Sequence, residues 1–110
     1  MTTTNTKARI AALNDAARTR FACRVVITSG IQALSEHDQQ EVFRQVRSFI
    51  SFNAANDPHS EHDFGRIEYN DEPIFWKIDY YDLRYEYGSE DPSDPKQTRR
   101  VLTIMLASEY

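Results

Sequence analysis

Two histidines and an aspartate lie close together in a short polar segment of the chain. The residues are His59, His62 and Asp63. Neutral imidazole nitrogens and carboxylate oxygens bind divalent ions such as zinc, so these three side chains are candidate metal ligands. The chain has neither a cysteine pair nor the helical His-Glu-x-x-His arrangement that marks well-defined zinc sites. We favour a simpler interpretation, in which the histidines donate to backbone carbonyls and nearby aspartates cap turns.

Two further carboxylates, Asp79 and Asp82, flank a pair of tyrosines. Either could act as the base that activates water in a small metal-dependent hydrolase. Strand alternation instead places Asp79 beside Lys77 and near Arg66 and Glu68 of the preceding strand, which favours a ladder of charge pairs across strands. We therefore expect a non-enzymatic protein, with the hydrolase as the alternative.

Tyrosines and carboxylates are concentrated in the same part of the chain. Tyrosine is enriched at protein interfaces, and an acidic surface attracts and selects a basic partner. We expect a basic partner protein to bind a surface that contains Tyr81, Tyr85, Glu90 and Asp91. The alternative left open is that the tyrosines pack beneath the loop of residues 83–95 and hold it in place.

The formal net charge is −4, and 12 of the 17 acidic residues lie between residues 57 and 94. Phosphate contacts require lysine and arginine, so this segment does not fit a nucleic acid. Because arginines occur near both ends of the chain, a nucleic-acid accessory factor is a third hypothesis. The alternative is that these arginines are solvated or pair with the acidic segment. The four that could bind a nucleic acid are Arg44, Arg47, Arg99 and Arg100.

A chain of 110 residues suits one domain over residues 1–110, with a polar, disordered tail expected at residues 1–6. The single cysteine, Cys23, has no disulfide partner in the chain, which is typical of the reducing cytoplasm. No run of 18 apolar residues and no signal-peptide core is present, so we expect neither membrane spanning nor export. The sequence makes no prediction of oligomeric state.

Hydrophobic spacing predicts two helices and a strand in the first half. Apolar residues at helical intervals predict a helix over residues 6–18 and a clearer one after the N-cap Ser35. Between them, residues 21–28 are rich in β-branched side chains and end at a turn, which predicts a strand. The clearer helix carries Val42, Phe43, Val46, Phe49 and Ile50 on its apolar side.

Residues 64–69 and 73–81 alternate as two strands of a hairpin. Alternation on the second strand directs Ile74, Trp76, Ile78 and Tyr80 towards the core. The last segment also alternates, but Asp94 as N-cap with Pro95 at the first position predicts a C-terminal helix. The expected fold is therefore α+β, with a small, mainly antiparallel sheet around a central hairpin, covered on one face by two or three helices.

Four sequence blocks resemble those of a family of small bacterial proteins of unknown function, met on chromosomes, plasmids and phages. They are NDPHSEHDFG at residues 56–65, IFWKIDYYD at 74–82, GSEDPSDP at 88–95 and TRRVLTIMLASEY at 98–110. The resemblance implies no reaction, cofactor or site residue. It suggests an accessory role on mobile elements, as an association only.

Overall fold

The computed structural model describes residues 3–110, and over this range the chain forms three α-helices and one sheet of four strands. The expected α+β class is confirmed. None of the helices in this range is long and apolar enough to span a bilayer. In chain order the elements are α1 (Thr3–Arg20), β1 (Arg24–Ile27), α2 (Ser29–Gln32), α3 (Glu36–Arg47), β2 (Phe64–Tyr69), β3 (Glu72–Tyr81) and β4 (Arg99–Leu106), followed by a 3₁₀ turn (Ala107–Glu109).

The strand order in the sheet is β1-β4-β3-β2. Strand β3 is antiparallel to both of its neighbours, while β1 and β4 are parallel, so the sheet is mixed but mostly antiparallel. The parallel pair is possible because α2, α3 and the hairpin separate β1 from β4 along the chain.

The predicted C-terminal helix is wrong, because this segment forms the central strand β4. The buried apolar residues of this strand are Val101, Leu102, Ile104 and Met105, so both of its faces are covered. Its continuous apolar run is therefore as compatible with a helix as with a strand. Asp94 does cap a backbone amide, that of Lys96 at 2.9 Å, but within a turn that precedes the strand.

The predicted hairpin of β2 and β3 is confirmed, with a turn of two residues rather than three. Asn70 and Asp71 both have positive φ, 51° and 63°. A type I′ turn requires this at both central positions, and asparagine and aspartate tolerate it better than most residues.

Helix α1 begins at Thr3 and ends at Arg20, so it is longer at both ends than the predicted 6–18. The expected disorder of residues 1–6 stays a prediction for residues 1 and 2, which lie outside the described residues. Helix α3 begins after Ser35 as predicted, since the Ser35 hydroxyl accepts from the Asp38 amide at 3.1 Å. It ends at Arg47, so Ile50 is not part of an apolar helical stripe and is 84% exposed.

Trp76 on β3 lies at the centre of the core and is fully buried. The alternation predicted for β3 is confirmed for Ile74, Trp76 and Ile78, and Tyr80 is partly buried. Gly65 pairs with Trp76 across the hairpin and leaves room for the indole. The core cluster consists of Ile31, Val42, Val46, Ile67, Ile74, Trp76, Ile78, Leu102 and Ile104.

The predicted ladder of charge pairs between β2 and β3 does not form. The register places Lys77 opposite Phe64 and places Arg66 opposite Phe75. The ion pairs lie within single strands instead, from Lys77 to Asp79 at 3.1 Å and from Arg66 to Glu68 at 2.9 Å.

Substituting Gly65→Ala should lower the free energy of unfolding by about 2 kcal/mol or more, because the new Cβ overpacks a buried ring. An ideal Cβ at this position would lie 2.4 Å from Trp76 Nε1. Gly88→Ala is the matched control, since its Cβ would meet nothing closer than 3.9 Å. Urea denaturation measures both variants, and equal stability of the two would contradict the packing described.

Candidate functional site

The segment of residues 56–63, which carries the two central histidines, folds around one buried carboxylate. Asp57 is 6% exposed, and its Oδ1 accepts from the amides of Glu61 at 3.0 Å and His62 at 3.1 Å. Ser60 and His62 both have a φ of 56°, so the backbone turns tightly here. Asp57 therefore organises a turn, as the simpler interpretation of the sequence proposed for the aspartates.

His62 joins this segment to α1. Its Nδ1 lies 3.0 Å from each carboxylate oxygen of Asp15, and its Nε2 lies 3.7 Å from Asp57 Oδ2. The imidazole also stacks on Phe52, with ring centroids 3.9 Å apart and planes 1° apart. The partners of the ring nitrogens are thus carboxylates rather than the backbone carbonyls that we expected.

The candidate metal ligands His59, His62 and Asp63 are not assembled into a ligand set. His59 is exposed, and His62 is engaged by Asp15. Burial raises the pKa of Asp63, with the nearby charge of Glu61 as the next cause. Within the described part of the chain, no group of three or more histidine, cysteine, aspartate or glutamate residues is arranged to hold a metal ion.

A buried polar network begins at Asn14 of α1, which is fully buried. Its Nδ2 donates to the Glu61 carbonyl and to the Tyr80 hydroxyl, each at 2.8 Å, while its Oδ1 accepts from Arg100 Nε at 2.6 Å. The Tyr80 hydroxyl in turn donates to Glu61 Oε1 at 2.7 Å. Desolvation, followed by this hydrogen bond, raises the pKa of Tyr80. The network joins α1, residues 56–63, β3 and β4.

Arg18, one turn after Asn14, is the second buried polar residue of α1 and is 1% exposed. Its Nη1 donates to the carbonyls of Val46 at 2.7 Å and Arg47 at 3.2 Å, so it caps the C-terminus of α3. The guanidinium lies over the Trp76 ring at 4.8 Å. Desolvation lowers the pKa of Arg18, opposed by the charge of Asp15.

Neither Asn14 nor Arg18 was predicted from the sequence to be buried. The sequence does indicate their burial, because Asn14 and Arg18 follow Ile10 at intervals of four residues. In a helix this spacing places all three on the same side, which is the buried side of α1. Two polar residues on such a stripe indicate a buried polar interface.

The two candidate catalytic carboxylates have structural partners. Asp79 is paired with Lys77. Asp82 accepts from the amides of Glu86 at 3.0 Å and Arg84 at 3.1 Å, and these backbone hydrogen bonds, that of Glu86 first, lower the pKa of Asp82. A lowered pKa makes Asp82 a weaker base, which suits a turn cap better than water activation.

The four residues expected to bind a partner differ in their surroundings. Tyr85 has the Arg24 guanidinium 3.8 Å from its ring centroid, and its ring lies 6.4 Å from that of Tyr81. Asp91 accepts from the Ser93 amide at 3.1 Å. Glu90 is exposed. Tyr85 and Asp91 therefore help to hold the loop, while Glu90 is open to solvent.

The same loop forms a groove of about 490 Å³, which we call the loop groove. Two of its apolar side chains are open to solvent, Leu83 at 50% exposure and Tyr87 at 73%. Of the four residues expected at a binding surface, the groove contains Glu90. Its lining is completed by Asp82, Arg84, Gly88 and Gln97.

The four arginines proposed for nucleic-acid binding differ in their contacts and exposure. Arg44 pairs with Glu41 at 3.0 Å, and Arg47 Nε donates to the Thr19 carbonyl at 3.0 Å. Arg100 is buried, and Arg99 is exposed. Three of the four therefore have internal partners, and the hypothesis stays a prediction.

Comparison with protein families matches residues 27–109 to a family described as "Protein of unknown function (DUF3768)". The chain therefore belongs to this family, and the resemblance to a family of unknown function is confirmed. The match assigns no activity. Comparison with the curated proteins and with the solved structures found no match.

Substituting Tyr80→Phe should destabilise the domain by about 1–2 kcal/mol, because the buried Asn14 amide and the Glu61 carboxylate each lose a hydrogen-bond partner. Tyr87→Phe removes the same atom from a ring that is 73% exposed and should change stability little. Chemical denaturation measures both variants. A Tyr80→Phe variant as stable as Tyr87→Phe would show that the hydrogen bonds of the Tyr80 hydroxyl contribute nothing to the free energy of unfolding.

Stability should depend on pH with opposite signs at Asp63 and Asp82. The raised pKa of Asp63 favours its protonated form in the fold, so stability is lost as pH rises from the unfolded pKa, about 4, through the raised value. Asp63→Asn should therefore be more stable than wild type at pH 7, and the difference should vanish at low pH. The lowered pKa of Asp82 gives stability above pH 4 that is lost as pH falls, so Asp82→Asn should be less stable at pH 7.

Thermal unfolding of the wild type and both variants between pH 3 and pH 7 measures these differences. If both variants changed the stability at pH 7 in the same direction, the result would contradict the environments described for Asp63 and Asp82.

Proposed function

We propose that this member of the DUF3768 family is a non-enzymatic binding module whose loop groove takes up a basic segment of a partner protein. The observation that carries the proposal is the exposure of Leu83 and Tyr87 beside the carboxylates of Asp82 and Glu90. Exposed apolar side chains rimmed by charge are typical of protein interaction sites.

The loop is ordered before any partner arrives. Asp82 N donates to the Tyr87 carbonyl at 2.7 Å, and Ser89 N donates to the Tyr80 carbonyl at 3.1 Å. Tyr81 and Gly88 form a β-bridge across the base of the loop. A preformed loop lowers the entropic cost of binding, so the exposed side chains can contribute more of their contact energy to affinity.

The negative charge of the loop determines that its partner should be positively charged. Asp82, Glu86, Glu90 and Asp91 carry negative charge between residues 82 and 91, against the single cation of Arg84. Such a surface accelerates encounter with a cationic segment and disfavours acidic ones. Leu83 and Tyr87 would then supply apolar contact area and slow dissociation.

The hydrolase alternative is less well supported, since His62, Asp79 and Asp82 each have a structural partner. An accessory role on mobile elements, suggested by the resemblance, is compatible with a protein that acts by binding another. The compartment we propose is the cytoplasm, where the free thiol of Cys23 would stay reduced.

The test measures binding of a short synthetic peptide in which lysine and arginine alternate with leucine, by surface plasmon resonance at low and physiological salt. The double variant Glu86→Lys/Glu90→Lys should lower the association rate about tenfold or more at low salt. The difference should shrink as salt is added, because both charges are exposed. Leu83→Ser should instead raise the dissociation rate.

Glu72→Lys is the control, because Glu72 is exposed at the opposite end of β3 from the loop. It should leave the association rate near that of wild type. If Glu72→Lys lowered the association rate as much as the double variant does, the effect would depend on net charge alone. That result would overturn the groove as the binding site. Failure of the peptide to bind at low salt would overturn the proposal itself.

A further inference from the structure

A second cavity, of about 350 Å³, lies where α1 ends and where β1 and β4 begin. Because these two strands are parallel, they start at the same edge of the sheet, so Arg24 and Arg99 both reach the cavity. Arg20 comes from the last turn of α1. We call this site the arginine cavity, and its chemically distinctive lining residues are Arg20, Cys23, Arg24, Tyr85, Arg99 and Arg100.

In the described part of the chain, the four guanidinium groups of this cavity have no ion-pair partner, although the lowering of the Arg100 pKa by burial is partly offset by the charge of Glu61. Among residues 3–110, no carboxylate forms an ion pair with Arg20, Arg24, Arg99 or Arg100. The chain has 17 acidic residues and a net charge of −4, so carboxylates are not scarce. Four arginines that line one cavity without an ion-paired carboxylate give the cavity a positive potential, to which an anion would bind.

Two of the four arginines are held in place by neutral groups. Arg100 is 8% exposed, and it donates from Nε to Asn14 Oδ1 and from Nη2 to the Pro92 carbonyl, each at 2.6 Å. Arg24 stacks on the Tyr85 ring at 3.8 Å. Neither arrangement neutralises the charge. The buried Arg100 therefore adds positive potential to the cavity, while the exposed Arg24 can contact an anionic ligand.

The remaining lining is mostly apolar and includes Leu13, Ala16 and Ala17 of α1 together with Pro95 and Tyr85. A volume of about 350 Å³ is near the lower end of the range for small-molecule sites. It admits a ligand with one or two phosphate groups and a ring, and the concave shape differs from the open basic surface that a polynucleotide backbone follows.

We propose that the arginine cavity binds a small phosphate ester, with the phosphate held by Arg24 and Arg99 and the organic part against the apolar wall. Guanidinium groups match phosphate oxygens in bidentate geometry, and a dianion fits several cations better than a monocarboxylate does. The site is separate from the loop groove, and the proposal does not depend on the function proposed there.

Isothermal titration calorimetry of the intact protein tests the proposal, with adenosine monophosphate, ribose 5-phosphate and pyrophosphate as probes and adenosine as the uncharged comparison. At least one phosphate ester should bind, while adenosine should not. The double variant Arg24→Gln/Arg99→Gln should weaken binding about tenfold or more. Arg66→Gln, on the far edge strand β2 and exposed, should bind as wild type does.

Cys23 gives an independent readout because this residue lines the cavity. Burial raises the pKa of this thiol, so alkylation by iodoacetamide should be slow and should become slower when a phosphate ester occupies the site. Protection should be lost in the Arg24→Gln/Arg99→Gln variant, with folding verified by circular dichroism.

Three results would overturn the proposal. The first is no binding of any phosphate probe at millimolar concentration, and the second is protection of Cys23 that persists in the double variant. The third is binding of a single-stranded oligonucleotide that is tighter than any small probe and equally sensitive to the two arginines, which would identify a nucleic-acid site.

Discussion

The buried guanidinium of Arg18 is the contact on which the arrangement of the helices depends. Removing a cation from water is costly unless hydrogen bonds and charge compensate it. Here the last carbonyls of α3, the Asp15 carboxylate and the face of Trp76 supply that compensation. Helix α1 buries few large apolar side chains, Ile10 among them, so polar contacts with strict geometry determine where it docks. That position then brings Asn14 to Tyr80 and Arg100, and brings the end of α1 to the arginine cavity.

The loop between β3 and β4 links the two candidate sites. Its Tyr85 faces the arginine cavity, whereas Leu83 and Tyr87 face the loop groove. Both sites therefore need the same fixed backbone, which the Asp82 carboxylate and the Tyr81 to Gly88 bridge provide. Tyr85 packs on Arg24, so one of the two tyrosines assigned to a partner surface from sequence has a role inside the domain.

The sequence predicted those parts of the fold that local chemistry determines. Ser35 specified the start of α3, and Asn70 with Asp71 specified the hairpin, because each acts on its immediate neighbours. Strand β4 could not be predicted in this way. Its state depends on β1 and β3, which are distant in sequence, and Asp94 has the same capping chemistry before a turn as before a helix. The polar interface of Asn14 and Arg18 was missed for a similar reason, since their partners, apart from Asp15, are 28 to 86 residues away.

The separation of charge also depends on tertiary structure. A chain with an acidic middle and basic ends could neutralise itself by pairing the two, as the sequence allowed. The ion pairs of Lys77, Arg66 and Arg44 instead lie within single elements, because partners two or three residues apart meet without any tertiary constraint. The carboxylates of the loop and the arginines at the end of the sheet consequently keep their charges. A net charge of −4 thus conceals two surface regions of opposite charge, the acidic loop and the arginine-lined end of the sheet.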